Sequence, residues 1–271
     1  MKLECRSEKD VATTELDMIQ GMNTVVYVVT HKDFDQDSLP DGYVPILAGA
    51  DSNYADIRVK DNTGNNISGK NSSYCELTAQ YWVWKNSIEQ SEDIGFVHYR
   101  RFFYRSTFTD EIVPSRQLGV DLEQYDVILP EPTYFTKTVR EQYVSLHHKE
   151  DLEVIYAVLH SMYPEYEDAF NAVMDGYGLS CYNMFVMSST KFDQYMAWLF
   201  SILLEAENQI DISNYDSYNQ RIYGFLGERL LNIWVKHNNL RIKYYPVFKN
   251  GDNRWRQTIT QRIKRTLRKR K

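Results

Sequence analysis

The most chemically loaded stretch of the sequence is HYRRFFYR, residues 98–105. It follows IGFV, a short apolar run of the kind that forms a buried strand. Arg100 and Arg101, with Arg105 beyond them, put guanidinium groups near a strand end. A guanidinium pairs two N–H bonds with phosphate oxygens, and His98 can donate to the same group. Such a cluster can neutralise a diphosphate leaving group, a task otherwise given to a metal. It can equally sit in a structural salt-bridge network with the chain's surplus acids. A second segment, Thr30-His31-Lys32, closes the run TVVYVVT (24–30). A hydroxyl, an imidazole and an ammonium there suit a nucleotide base or its phosphates, and they also suit an ordinary surface turn. The third segment, GYGLSCYNMFVM (176–187), sets small residues and Asn183 ahead of another strand, where a ligand can approach the backbone. The fourth, GFLGERLLNIW (224–234), puts Glu228 in the expected first turn of a helix behind Gly224 and Gly227. A carboxylate there can act as a general base toward a hydroxyl, or only complement the helix N-terminus.

The chain holds 21 Tyr, 12 Phe and 5 Trp. Flat rings cover the apolar faces of sugars, and they also fill cores whose hydroxyls reach water. Tyr99, Tyr182 and His148 are the candidates to cover a sugar ring or an acceptor. Other constellations are missing: the sequence has no GxGxxG, no P-loop, no HExxH and no GxSxG. His147 and His148 are adjacent, which is not a metal spacing. The three cysteines, Cys5, Cys75 and Cys181, are far apart and form neither a disulfide framework nor a zinc site, which fits a reducing, cytoplasmic compartment.

These segments need elements to carry them. TVVYVVT, IGFVH (94–98), YDVILP (125–130), NMFVM (183–187) and RIKYYPVF (241–248) read as strands, and GYVPILAGA (42–50) holds another. Helices are expected over 138–148, 150–162, 164–174, 191–209 and within 221–237. A further helix starts near Ser73, whose spacing to Glu76 is that of a capping box, with Leu77, Tyr81, Trp84 and Ile88 on its buried face. Residues 51–71 are polar and turn-rich and read as a long loop. Alternating strands and helices predict an α/β fold, one domain with a mainly parallel central sheet flanked by helices.

Charge is uneven. Net charge is −6, yet the last 18 residues hold nine Lys or Arg and no acid, leaving 22 basic and 37 acidic residues, a net of −15, for the rest. An acidic body argues against nucleic acid as a partner. In the tail, Trp255, Ile259, Ile263 and Leu267 recur every four residues, the pattern of an interfacial helix on anionic lipid. No run of 18 apolar residues is present. The expected organisation is a flexible lead over 1–22, one domain over 23–250, and a basic amphipathic tail over 251–271.

The strings YCELTAQYWVWKN (74–86), DIGFVHYRRFF (93–103), YDVILPEP (125–132), EQYVSLHH (141–148), YNMFVMSSTKFDQYMAWLF (182–200) and RIYGFLGERLLNIW (221–234) resemble the DUF4422 family. Its members occur in bacterial capsule and exopolysaccharide biosynthesis, are assigned as glycosyltransferases, and in some cases are associated with galactofuranose transfer. The resemblance implies a single GT-A-like, Rossmann-like domain that uses a UDP-sugar and a lipid-linked glycan acceptor at the inner face of the cell membrane. It implies a donor site of Thr30, His31, Lys32, His98, Arg100, Arg101 and Asn183, with Glu228 as base in an inverting displacement. Where many GT-A enzymes carry Asp-x-Asp, this sequence has His98-Tyr99-Arg100-Arg101. No cofactor is therefore expected to be required, with Mn²⁺ or Mg²⁺ left open through residues 51–56, Asp61 and Asp126. The alternative is a non-catalytic carbohydrate-binding subunit of a polysaccharide assembly complex.

Overall fold

A computed structural model describes residues 23–88, 91–249, 259–261, 263, 264 and 266. The expected lead over 1–22 lies outside the described residues, as does most of the tail. The strands are β1 (Thr24–Thr30), β2 (Tyr43–Leu47), β3 (Val59–Lys60), β4 (Asp93–His98), β5 (Arg101–Phe103), β6 (Val127–Pro130), β7 (Thr133–Tyr134), β8 (Gly178–Leu179), β9 (Phe185–Ser188), β10 (Ile242–Tyr245) and β11 (Val247–Lys249). The helices are α1 (Asn71–Tyr74), α2 (Leu77–Asn86), α3 (Ser115–Leu122), α4 (Val139–Val144), α5 (Lys149–Met162), α6 (Glu167–Met174), α7 (Ser189–Glu207) and α8 (Ile222–His237).

The main sheet runs β10-β6-β9-β4-β1-β2-β3, with β5 pairing β4 at one end and β11 along its length. β1 is parallel to β2 and β4, β2 to β3, and β10 to β6. β9 alone among the central strands is antiparallel, to both β4 and β6. The expected mainly parallel α/β sheet is therefore present. β1 is buried along all seven residues, as a strand covered on both faces must be. Its alternation sorts the two faces: Val25, Tyr27 and Val29 pack with the helical layer of α2 and α5–α8, whereas Val26 and Val28 pack with Phe102, Phe103, Leu118 and Phe248.

Two local expectations are corrected. Ser73 does not cap the helix that follows. It lies in α1 and donates to Lys70 O at 3.1 Å. α2 starts only at Leu77, and its N-cap Glu76 makes no capping bond. Glu228 is not in a first turn either, because α8 begins six residues earlier at Ile222. A dipole role for its carboxylate is thereby removed, since that effect fades within the first turn. The loop over 51–71 is also less bare than its composition suggested, holding β3 and a 3₁₀ turn, Ser68–Lys70.

Candidate active site at the carboxyl edge of the sheet

The antiparallel direction of β9 builds the site. Phe185 pairs with Phe96, so the residues just before β9 lie beside the residues just after β4. Thr30, at the end of β1, belongs to the same edge, because Val29 pairs with His98. Ligands in open α/β sheets bind beyond this carboxyl edge.

Positive charge collects there around two tyrosines. The Tyr99 ring is 9% exposed, and His31 meets it edge-on at 5.4 Å. Lys32 Nζ lies 5.7 Å and the Arg100 guanidinium 4.9 Å from its centroid. Tyr99 is thus a shelf for cations. Arg101 turns instead onto Tyr182, 4.5 Å from that ring. His98 Nε2 bonds Tyr182 O at 2.7 Å. Burial, then the positive charges of Arg100, Lys32 and Arg221 and the His98 imidazole, holds the His31 imidazole below its ordinary value. Elsewhere Arg105, Arg140, Arg229 and Arg241 each pair with an acid. Lys32, Arg100, Arg101 and Arg221 are in no ion pair among the described residues. Arg105, paired with Glu111 at 2.7 Å, drops out of the expected arginine cluster.

Facing this charge stand α8 and the turn before α2. Glu228 Oε1 accepts the Tyr182 N–H at 2.8 Å, and Oε2 accepts from Arg229 Nη1 at 3.0 Å. Its side chain keeps 17% exposure against 5% for Arg229. Burial raises the Glu228 carboxyl above its ordinary value, with Glu76 adding to the rise and Arg229 and the Tyr182 N–H opposing it. Arg229 continues to Phe225 O at 2.8 Å and Gln142 Oε1 at 2.8 Å. Gly224 and Gly227 let α8 come this close. A Cβ at Gly224 would stand 3.2 Å from Cys75 Cβ and Sγ, and one at Gly227 3.1 Å from Asn183 Oδ1.

Three of the four non-glycine residues with positive φ among the described ones meet here: Cys75 (51°), Tyr182 (79°) and Asn183 (49°). Such conformations cost about 1–3 kcal/mol each and cluster where function needs them. Thr30, 2% exposed, uses its hydroxyl within its own turn, donating to Lys32 O at 2.5 Å. It shapes the turn that presents His31 and Lys32. Asn183 is 1% exposed and gives its amide nitrogen to Glu76 Oε1 at 2.7 Å and Gly224 O at 2.9 Å, which fixes it between α2 and α8. His148 stands apart from the strand-end cluster, stacked on Tyr215 at 4.0 Å. Two groups escaped the sequence reading. Arg221 caps the start of α8, donates to Cys75 Sγ at 3.3 Å and is felt by both His31 and Glu228. Glu76 was assigned to capping, and only the long-range contact with Asn183 reveals otherwise.

For a metal, two of the expected oxygen ligands, Asp61 and Asp126, are engaged. Asp61 is fully buried and accepts from Gly49 N, Ala50 N and Ser68 Oγ at 2.8, 3.0 and 2.6 Å. Asp126 is held by Arg241 at 2.9 Å and Lys191 at 3.5 Å, which lowers it to about 2. Among the described residues no three His, Cys, Asp or Glu side chains assemble into a metal-holding group.

A mainly parallel α/β sheet whose central reversed strand gathers charged residues at the carboxyl edge defines a Rossmann-like chain. The chain belongs to the DUF4422 family, whose model, described as a domain of unknown function, matches residues 25–239. Among solved structures, the apo form of the bifunctional glycosyltransferase WbbM superimposes with a TM-score of 0.77 at 30% identity, over 85% of this chain and 46% of that one. The chain therefore spans just under half of that protein. The mannosyltransferase Ktr4p from S. cerevisiae matches at 10% identity and a TM-score of 0.35, covering 92% of this chain and 82% of its own, a similarity too slight to carry weight. No curated protein matches the sequence. The fold is thus one shared with a glycosyltransferase.

Proposed function

We propose that the protein is a glycosyltransferase that moves a sugar from a UDP-sugar onto a glycan acceptor by a single inverting displacement. The observation that carries this reading is the set of cations without acid partners, Lys32, Arg100, Arg101 and Arg221, gathered opposite a half-buried carboxylate. Unpaired cations held together call for an anion, and a diphosphate supplies the charge and oxygens that guanidinium groups match. In the reaction, Glu228 takes the proton of an acceptor hydroxyl. The freed oxygen attacks the anomeric carbon, and the bond from that carbon to the diphosphate oxygen breaks. Its electron pair leaves with UDP, where the cations and His98 hold the developing charge. The raised Glu228 carboxyl is a stronger base than an ordinary glutamate. Tyr99, Tyr182 and, further out, His148 offer ring faces toward the sugar and acceptor side. No divalent metal is required on this reading, because the cations take its place.

The finer reading is transfer of galactofuranose to a lipid-linked acceptor in capsule or exopolysaccharide synthesis, by one domain over 23–250 held to the inner face of the cell membrane by its tail. No helix among the described residues is long and apolar enough to cross a membrane. Support for surface binding comes from the nine basic residues of the tail and from Ile259 and Ile263, which stay 50% and 55% exposed. Gln261 Oε1 between them accepts the Tyr134 N–H of β7 at 2.8 Å. Each basic residue near an anionic surface contributes about 1 kcal/mol. Trp255 and Leu267, the other members of the stripe, lie outside the described residues. The test of the donor is a thermal-shift panel of UDP-sugars including UDP-galactofuranose. A ligand bound only by the folded state raises the unfolding midpoint, and no rise with any UDP compound would contradict the reading.

A further inference from the structure

The two carboxylates beside the cleft are held differently. Both oxygens of Glu228 already accept protein hydrogen bonds. Glu76 gives Oε1 to Asn183 at 2.7 Å, while its Oε2 accepts from no group among the described residues. Its side chain is half-buried. The amide that aims it is fixed from several sides. Asn183 also donates to Gly224 O, its backbone carbonyl accepts from Gln80 Nε2 at 2.8 Å, and its own Oδ1 is buried without a partner. Cys75, directly before Glu76, sits at φ 51° and ψ −128°, so the chain turns sharply to deliver this carboxylate. Glu76 acts electrostatically on Cys75, Arg221 and Glu228 alike, which puts it among the groups of the cleft.

An oriented carboxylate with an open oxygen, acting on both Arg221 and the base, matches one class of donor: the hydroxyl of a sugar. A phosphate would be repelled, and an acceptor hydroxyl about to lose its proton is served by Glu228. The geometry points to Glu76 as the residue that accepts a hydrogen bond from a ring hydroxyl of the transferred sugar, fixing the anomeric carbon between the departing diphosphate and Glu228. This deepens the transferase reading and rests on it. A site built to bond a hydroxyl discriminates strongly against a sugar that lacks or misplaces it, because the carboxylate is then left unpaired. Glu76 is on this account a specificity residue that touches substrate.

The test separates the sugar from the nucleotide. UDP, UDP-galactofuranose, UDP-galactose and UDP-glucose are titrated into the full chain and into Glu76→Gln. In that variant the amide carbonyl still takes the Asn183 bond, while the other position turns from acceptor to donor. The expected result is UDP affinity that is not weakened, and loss of about 10- to 100-fold in the advantage of the preferred UDP-sugar over UDP, the size of one charge-assisted hydrogen bond. The donor KM rises with it more than kcat falls, and Glu76→Asp restores part of the advantage. If Glu76→Gln keeps the full advantage of the UDP-sugar, Glu76 does not touch the sugar. If KM holds and kcat collapses, Glu76 is the base and the assignment made here is overturned. A wild type that binds UDP but no UDP-sugar better than UDP defeats the Glu76 role alone. A wild type that binds none of the four defeats the transferase reading beneath it.

Discussion

The two edges of the central sheet invite opposite conclusions from shape and from charge. At the amino edge lies a cavity of about 610 Å³ lined by Thr24, Asp41, Asp93, Ser115, Arg116 and Glu123 among others. Its polar groups are largely settled among themselves: Thr24 donates to Asp93 at 3.0 Å and Ser115 to Asp41 O at 2.9 Å. Acids outnumber the single arginine there, so a diphosphate would meet net repulsion. The carboxyl edge instead gathers four cations that are in no ion pair among the described residues, two carboxylates that act on one another and three non-glycine residues at positive φ. Close-packed proteins carry voids for many reasons, whereas like charges gathered in excess of their counter-charge have an electrostatic cost that an anionic ligand offsets. On the proposed reading, charge and not shape points to the carboxyl edge.

Substitutions sharpen that contrast. The largest effect is expected at Glu228: Glu228→Gln should lower sugar transfer by roughly 10²-fold or more with UDP binding retained. Transfer near the wild-type rate would remove Glu228 as base. Glu228→Ala is a poorer probe, because it strands the buried Arg229 charge at a cost of about 3–5 kcal/mol. The pH profile gives a second reading of the same group. With its carboxyl raised by burial, Glu228 is unprotonated only above a pH higher than that of an ordinary glutamate. The acid limb of kcat/KM should move upward accordingly and vanish in Glu228→Gln. The sign for stability is opposite: the fold binds this proton more tightly than the unfolded chain, so the stabilisation is complete at low pH and lost as pH rises through the folded value. An acid limb near pH 4 would place the base elsewhere.

Next in size, Arg101→Ala should weaken UDP binding by about tenfold, one charge-assisted pair, and unchanged affinity would leave Arg101 as a partner of Tyr182 alone. Removal of divalent metal with EDTA is expected to leave most of the transfer activity, whereas complete loss restored by Mn²⁺ would show that the cations do not replace a metal. At the other edge of the sheet, Asp93→Asn should change neither UDP affinity nor transfer. A clear loss there would transfer interest to the amino-edge cavity.

Much of the fold was legible because burial writes itself into local pattern. TVVYVVT is β1 without adjustment, since a strand covered on both faces must be apolar throughout. The reversed direction of β9 was not legible, because pairing direction depends on partners far away in sequence. The cation cluster was readable at His31, Lys32, Arg100 and Arg101, which sit directly after strands. Arg221 was not, as nothing near it signals that the start of α8 comes close enough to act on His31. Glu76 is not a capping partner, and the local spacing of a capping box does not show its 107-residue reach to Asn183. Thr30 shows the converse, a polar residue in the right place whose hydroxyl is consumed by its own turn.

The central claim is that unpaired cations at the carboxyl edge bind the diphosphate of a sugar nucleotide. Calorimetric titration of UDP into the wild type, the double variant Arg100→Ala/Arg221→Ala and the control Asp93→Asn tests it directly, with circular dichroism to verify folding. The account predicts that the double variant loses about 100-fold or more in UDP affinity, the product of two charge-assisted contacts. The control should match the wild type, and wild-type binding should weaken with added salt. Equal UDP affinity in the double variant and the wild type, with both folded, would contradict it.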